Sequence, residues 1–341
     1  MLTETERCVE QPQGALADAR IISLNLYVHD LDESRAFYEG KLGLRVLEAD
    51  SYAVKYDVGQ LMLCLYRASD HGVALAGRRD DASDIVFLVD DINTAREALE
   101  ARGVQFIRRR TYEIGFVTDF YDPNGHRLMI YEPSETALGW PSGDKLRAVW
   151  RASGRGGTAL IGPAADPRPL SAQELAAVGL DGKPLIYLFL FVPTSDQALA
   201  FYQGDLGLRP LERVHCCNPA CPPEELGVAK YDAGGLLLTT HHVHRSPVLD
   251  DYGNIYSPRA VDPAHMKGIV PVFHVRDLDA VVKRLAATNV RFEQETARSP
   301  IGATAKFEAP TGHTFFLYQP SEAALHWPSG IKIKQILDAQ L

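Results

Sequence analysis

The chain has 341 residues with a formal net charge of −9; 46% of them are apolar and 23% charged. That length holds two or three domains with cores of their own, and that composition belongs to a folded globular protein. The acidic balance excludes a broad electrostatic footprint for nucleic acid or an anionic membrane, so the expected partner is a small molecule or another protein.

The first twenty residues, MLTETERCVEQPQGALADAR, have neither the basic start nor the apolar core of a secretory signal. The longest apolar run, Leu185 to Val192, is far shorter than the ~20 residues that cross a bilayer. The expected location is cytoplasmic, with no membrane and no nucleic acid as partner. The 5 cysteines (Cys8, Cys64, Cys216, Cys217, Cys221) are odd in number and scattered, which argues against a disulfide framework.

The first predicted strand is IISLNLYV, in which Leu24, Leu26 and Val28 alternate with Ser23, Asn25 and Tyr27. A short amphipathic helix follows in DLDESRAFYEGKLGL, opened by capping aspartates and stopped at Gly43. Strands are expected around Leu44 to Glu48, Tyr52 to Val58 and Gln60 to Tyr66. A second unit of the same order begins at Asp84, runs through the helix NTAREALEARG, and ends on strands near Val104 to Ile107, Gly115 to Tyr121 and His126 to Glu132. DPNG at Asp122 to Gly125 is a strong hairpin turn.

The pattern then returns. AFYEGKLGLRVLE (Ala36 to Glu48) reappears as AFYQGDLGLRPLE (Ala200 to Glu212), and YEPSETALGWPSG (Tyr131 to Gly143) as YQPSEAALHWPSG (Tyr318 to Gly330). Two domains of two β-α-β-β-β units each are expected, over residues 1–150 and 184–341. Residues 151–183 between them read as a Gly, Pro and Ala-rich linker with a short helix capped by Ser171.

On these motifs, and on the closing DPNGHRLMIYEP and APTGHTFFLYQP, the chain resembles the vicinal oxygen chelate superfamily of glyoxalase I, bleomycin-resistance proteins and extradiol dioxygenases. The resemblance implies an α+β fold in which paired βαβββ modules make a cupped mixed sheet with helices outside and a pocket inside. It also implies a divalent metal held by inward His, Gln or Glu side chains. At the corresponding positions this sequence has Ser23 and Tyr187, Met62 and Leu237, Asp84 and Val270, and Met129 and Phe316. That set does not suit a hard divalent ion, so no family metal site is expected and the cofactor stays unknown.

Inward positions then define two expected pockets. The first domain offers a mixed polar lining that includes Ser23, Asn25, Cys64, Tyr66, Asp84 and Arg127, with Asp84 and Arg127 expected as a structural ion pair. The second offers Tyr187, Phe189, Phe191, Leu237, Thr239, Phe316 and Tyr318 with two inward histidines, His241 and His274. His126 and His313, just past the turn glycines, are expected on the helix side in structural roles. The second domain also has two longer loops, one holding His215, Cys216, Cys217 and Cys221 and the other His244 and His265. A soft metal suits such residues, although their spacing is not that of a zinc finger.

The expectation is a protein that binds an aromatic or apolar small molecule in the second domain's cup, without the metal triad, with Ser23 and Asp84 as contributors from the first. The alternative is an isomerase, lyase or ring-cleaving oxygenase that uses His241 and His274 as acid and base, or a displaced metal site. A homodimer is open in either case.

Overall fold

The computed structural model describes residues 6–7, 14–75, 82–155, 171, 178–214, 227–243, 248–249, 255–257, 265–288 and 290–339. A two-residue strand, β1 (Glu6–Arg7), precedes the first unit: β2 (Arg20–Val28), α1 (Leu31–Arg35), β3 (Val46–Ala49), β4 (Ala53–Asp57) and β5 (Met62–Arg67). The second unit is β6 (Ser83–Leu88), α2 (Ile92–Ala101), β7 (Phe106–Tyr112), β8 (Gly115–Tyr121) and β9 (Arg127–Pro133), followed by α3 (Glu135–Gly139) and α4 (Pro141–Trp150). The third unit is β10 (Leu185–Val192), α5 (Ser195–Leu199), β11 (Arg209–Val214), β12 (Val228–Asp232) and β13 (Leu237–His242). Two short strands, β14 (Val248–Leu249) and β15 (Ile255–Ser257), pair with each other. The fourth unit is β16 (Ile269–His274), α6 (Leu278–Leu285), β17 (Arg291–Ser299), β18 (Gly302–Glu308) and β19 (Thr314–Pro320), and α7 (Pro328–Asp338) follows it. The short helix expected after Ser171 lies outside the described residues.

Local chemistry sets these elements. The first helix of every unit begins on a side-chain cap: Asp30, Asp91, Thr194 and Asp277 accept from the backbone N–H of Glu33, Thr94, Gln197 and Ala280. In units one and three the helix runs on into a π-helical turn, Ala36–Lys41 and Ala200–Asp205. Both turns end just before a glycine in the left-handed region, Gly43 (φ 71°) and Gly207 (φ 70°), which releases the chain into the next strand. The first repeated thirteen-residue segment is therefore a helix exit.

The units do not pair in the order in which they follow one another. Sheet I joins units two and three in the order β1-β11-β12-β13-β10-β6-β9-β8-β7, and sheet II joins units four and one in the order β17-β18-β19-β16-β2-β5-β4-β3. The seams are antiparallel pairs of first strands, β10 with β6 and β16 with β2. This corrects the expected partition, in which each half of the chain, 1–150 and 184–341, would close its own cup. Sequence repeats identify units, but any unit's first strand has the same unpaired edge, and which edge it meets is settled by the fold as a whole.

The helices of all four units fill the space between the two sheets. One cluster of buried residues takes Leu24, Leu63 and Phe273 from sheet II, Ile85, Leu128 and Leu188 from sheet I, and Tyr38, Leu99, Tyr202 and Leu285 from the helices. Polar contacts tie the sheets across it. Tyr38 donates to Asp122 at 2.9 Å, the His126 Nε2 lies 2.8 Å from the Tyr27 carbonyl, and the His313 Nε2 lies 3.2 Å from the Ala82 carbonyl. Both histidines are buried and structural, as their place after the turn glycines predicted.

Candidate functional site: the cavity of sheet II

The face of sheet II turned away from the shared core carries Ser23 beside Met62 and Val272, with Val272 in turn beside Phe316. The next row along β2 and β5 is Asn25 with Cys64, and the one after it Tyr27 with Tyr66. Helix α7 lies across this face and packs Ile333 and Ile336 against Ile22, Met62, Cys64 and Val272. A cavity of about 220 Å³ remains beside it. Tyr27, Tyr66, Phe316 and Tyr318 form its walls, Ser23, Asn25 and Cys64 its floor, and His71, Ile301 and Trp327 its rim. His71 stands against two wall tyrosines, with ring centroids 5.4 Å from Tyr27 and 5.3 Å from Tyr66, and half of Trp327 (49%) is exposed.

Burial keeps the thiol and the tyrosine hydroxyls of this cavity protonated. It pushes the Cys64 thiol up to about 12, against the opposing pull of Lys55 and the Ser23 hydrogen bond. It likewise raises the Tyr66 hydroxyl well above its usual range, and the Tyr27 hydroxyl to about 12 with help from Glu293.

Helix α7 is held by a clamp built from the repeated motifs. Glu48 accepts from the Ser329 N–H at 3.1 Å and from Lys55 Nζ at 2.9 Å; Lys55 also donates to Ser329 Oγ at 3.2 Å. Lys332, one turn along α7, pairs with Asp57 at 2.7 Å. Sheet I repeats the arrangement on α4. Glu212 accepts from the Ser142 N–H at 3.0 Å and from Ser142 Oγ at 2.8 Å, Lys230 pairs with Glu212 at 2.5 Å, and Lys145 pairs with Asp232 at 2.7 Å. The carboxylate at the first turn satisfies amides that a helix start leaves open and complements its dipole. The glycine of each WPSG motif is required by close approach, since a Cβ on Gly143 or Gly330 would stand 2.2 or 2.0 Å from the carbonyl oxygen of Leu138 or Ala324. Lys55 and Trp327, which no sequence argument singled out, were detectable as residues repeated in both halves, as Lys230 and Trp140.

Sheet I fills the same space with side chains. Tyr187 stands where Ser23 stands in sheet II, paired with Leu237 and Val86, and Val86 is paired with Met129. Tyr187 is 5% exposed and packs in a cluster with Tyr131, Leu146 and Trp150. Its ring lies 5.9 Å from that of Tyr131 and 5.6 Å from that of Phe189, and Lys230 rests over both Tyr187 and Trp140. Burial, reinforced by Glu212, raises the Tyr187 hydroxyl. Of the aromatic set expected to line a working pocket, Tyr187 and Phe189 pack as core here.

The sheet pairing distributes the expected site residues. Ser23, Phe316 and Tyr318 come together around the cavity. Tyr187, Phe189, Phe191, Leu237, Thr239 and Asp84 belong to sheet I, on the other side of the shared core. Asp84 therefore does not meet Ser23. It forms the expected ion pair with Arg127, and the pair is bidentate, Nε to Oδ1 at 2.5 Å and Nη2 to Oδ2 at 2.9 Å, with both side chains buried. His241 and His274, expected beside one ligand, lie on different sheets. His241 is buried with Nδ1 2.8 Å from the His242 carbonyl and its ring 5.5 Å from Phe191. His274 pairs with Tyr318 and Arg20 along the strands, and burial together with Arg276 lowers its pKa. His215, Cys216, Cys217, Cys221 and His244 lie outside the described residues.

For a metal, register decides which donors meet. The row through Ser23 is Ser23, Met62, Val272 and Phe316; the row through Tyr187 is Tyr187, Leu237, Val86 and Met129. Val272 and Val86, rather than the expected Val270 and Asp84, share these rows, because the seam strands pair two residues further along. Among the described residues no three His, Cys, Asp or Glu side chains are gathered as a metal site.

Paired βαβββ units that make cupped sheets, each closed by a helix, define a tandem glyoxalase-type architecture. The chain belongs to the Glyoxalase/Bleomycin resistance protein/Dioxygenase superfamily, whose family model matches residues 20–130 and 185–317. Among solved structures it is similar to glyoxalase I from Zea mays, at 14% identity and a TM-score of 0.53 over 95% of this chain and 98% of that one. It is also similar to a putative dioxygenase from Bacillus subtilis subsp. subtilis str. 168, at 13% identity and a TM-score of 0.53 over 93% of this chain and 88% of that one. These likenesses show the fold. The chain has no significant match among curated protein sequences. Among the described residues no helix is long and apolar enough to cross a membrane.

Proposed function

We propose that the protein binds a small aromatic molecule in the cavity of sheet II, between its first and fourth units, and holds it without the family's divalent metal. The observation that carries this reading is the space itself: Ser23 takes the place that Tyr187 fills in sheet I, and a cavity of about 220 Å³ with aromatic walls lies over it. An apolar cavity of roughly 150 Å³ is enough to take benzene, so one substituted ring fits here. Aromatic walls with a few polar groups at the floor are the usual setting for such a ligand. The ligand site thus moves from the second half of the chain to the seam between its two ends.

The residues in the family's metal row do not fit a hard divalent ion. One hydroxyl, one thioether and two hydrocarbon side chains offer it no anionic or imidazole donor. The separation of His241 and His274 also favours binding over that form of the enzymatic alternative in which the two act as acid and base on one substrate. The test is titration of monocyclic arenes into the wild-type chain and Ser23→Tyr, with analysis of the recovered ligand. Stoichiometric binding of unchanged ligand, lost in a folded Ser23→Tyr chain, is the expected result; repeated turnover of ligand would overturn it.

A further inference from the structure

The cations at the sheet II cavity are already matched. Lys55, in its wall, is bound to Glu48 at 2.9 Å. Lys306, whose ammonium lies 5.8 Å from the Phe316 ring, pairs with Glu293 at 2.7 Å. Glu48 and Glu293 both have pKa values below the usual range: burial opposes this, and it is outweighed by the hydrogen bonds and charge of Lys55 together with the hydrogen bonds of Ser329 at Glu48, and by those of Lys267 and Lys306 at Glu293. His71, at the rim, has its pKa lowered by desolvation against the tyrosine rings, with Asp70 opposing and Lys306 adding to the effect, and is neutral at pH 7.

What the cavity does offer is neutral donors. Asn25 accepts a long hydrogen bond from Ser23 at 3.5 Å through Oδ1, while its Nδ2 has no hydrogen-bond acceptor among the described residues. The hydroxyls of Tyr27 and Tyr66 stay protonated. A charged ligand in this space would lose its hydration and find no free countercharge, whereas a neutral acceptor would satisfy a donor that is otherwise idle.

Resting on the reading that this cavity holds an aromatic molecule, we propose that it selects an uncharged ring bearing a carbonyl-type acceptor, addressed by the Asn25 amide, and discriminates against anionic and cationic rings of equal size. Four probes separate the possibilities: benzamide, benzoate, benzylammonium and toluene, titrated into the full chain at pH 7 and followed by NMR shift changes. Benzamide is expected to bind at least tenfold more tightly than either charged ring. Asn25→Leu, with Asn25→Ala as its smaller counterpart, is expected to weaken benzamide at least fivefold and leave toluene unchanged. Benzoate or benzylammonium binding as tightly as benzamide would overturn the selectivity while leaving the cavity as a ligand site. Equal loss of benzamide and toluene in both Asn25 variants would overturn the role of Asn25. No shift with any of the four would overturn this inference and the binding reading together.

Discussion

Ser23 and Tyr187 are the same residue position in two sheets of one design: Ser23 pairs with Met62 and Val272, Tyr187 with Leu237 and Val86. The serine leaves a cavity and the tyrosine fills the equivalent space. Exchanging them tests this directly. Tyr187→Ser removes a buried ring from a packed cluster and is expected to cost about 3–5 kcal/mol, the range for large aromatic truncations. Ser23→Tyr fills existing space and is expected to change stability far less. Urea unfolding of the two variants measures the asymmetry; equal losses would count against it.

The two clamps differ in burial, and so in what their removal costs. Glu212 and Lys230 are both buried, so Glu212→Gln leaves an ammonium without its countercharge and is expected to cost about 3–5 kcal/mol. Glu48→Gln acts on a partly exposed pair and is expected to cost less. Thermal unfolding of both variants, side by side, gives the comparison.

Glu48 and Glu293 make stability depend on acid. Their folded-state pKa values lie below the ordinary value of 4.5, so the unfolded chain binds more protons between the two. Their contribution is fully present above pH 4.5 and is lost as pH falls through the folded-state values. The melting temperature is expected to fall steadily as pH is lowered from 5 to 3, and less steeply in Glu48→Gln. An identical slope in that variant would remove Glu48 from the account.

Asp84 and Arg127 form an ion pair with both members buried. Asp84→Ala takes the bidentate carboxylate away from the buried guanidinium beneath Phe191 and is expected to destabilise by about 3–5 kcal/mol. The double replacement Asp84→Leu with Arg127→Met removes both charges and is expected to recover most of the loss. A double variant as unstable as Asp84→Ala would show that the pair's worth lies elsewhere.

His241 and His274 are expected to act independently. They sit on different sheets, so the unfolding free energies of His241→Ala and His274→Ala should add within about 0.5 kcal/mol in the double variant. A larger coupling would contradict their separation. His274 is further expected to titrate below an exposed histidine in an NMR pH series, because burial and Arg276 both disfavour its cationic form.

Much of the fold was readable along the chain. Alternation gave IISLNLYV as a strand, capping side chains opened each unit's first helix, and Gly43 and Gly207 marked where the helices stop. The repeated Glu48 and Glu212 were visible too, but as parts of a repeat; their role as anchors for α7 and α4 depends on partners such as Ser329, which is 281 positions away from Glu48.

By itself the sequence determined that four βαβββ units exist, where each begins, and that Ser23 and Tyr187 are counterparts. Those features rest on contacts within a few residues, where period and turn chemistry decide. Only the tertiary structure decided that unit one closes with unit four and unit two with unit three. That choice places Phe316 and Tyr318 over Ser23, and parts His241 from His274. Every unit carries the same unpaired first-strand edge, and nothing local tells one such edge from another; the choice is made by the shared core that all four helices fill at once.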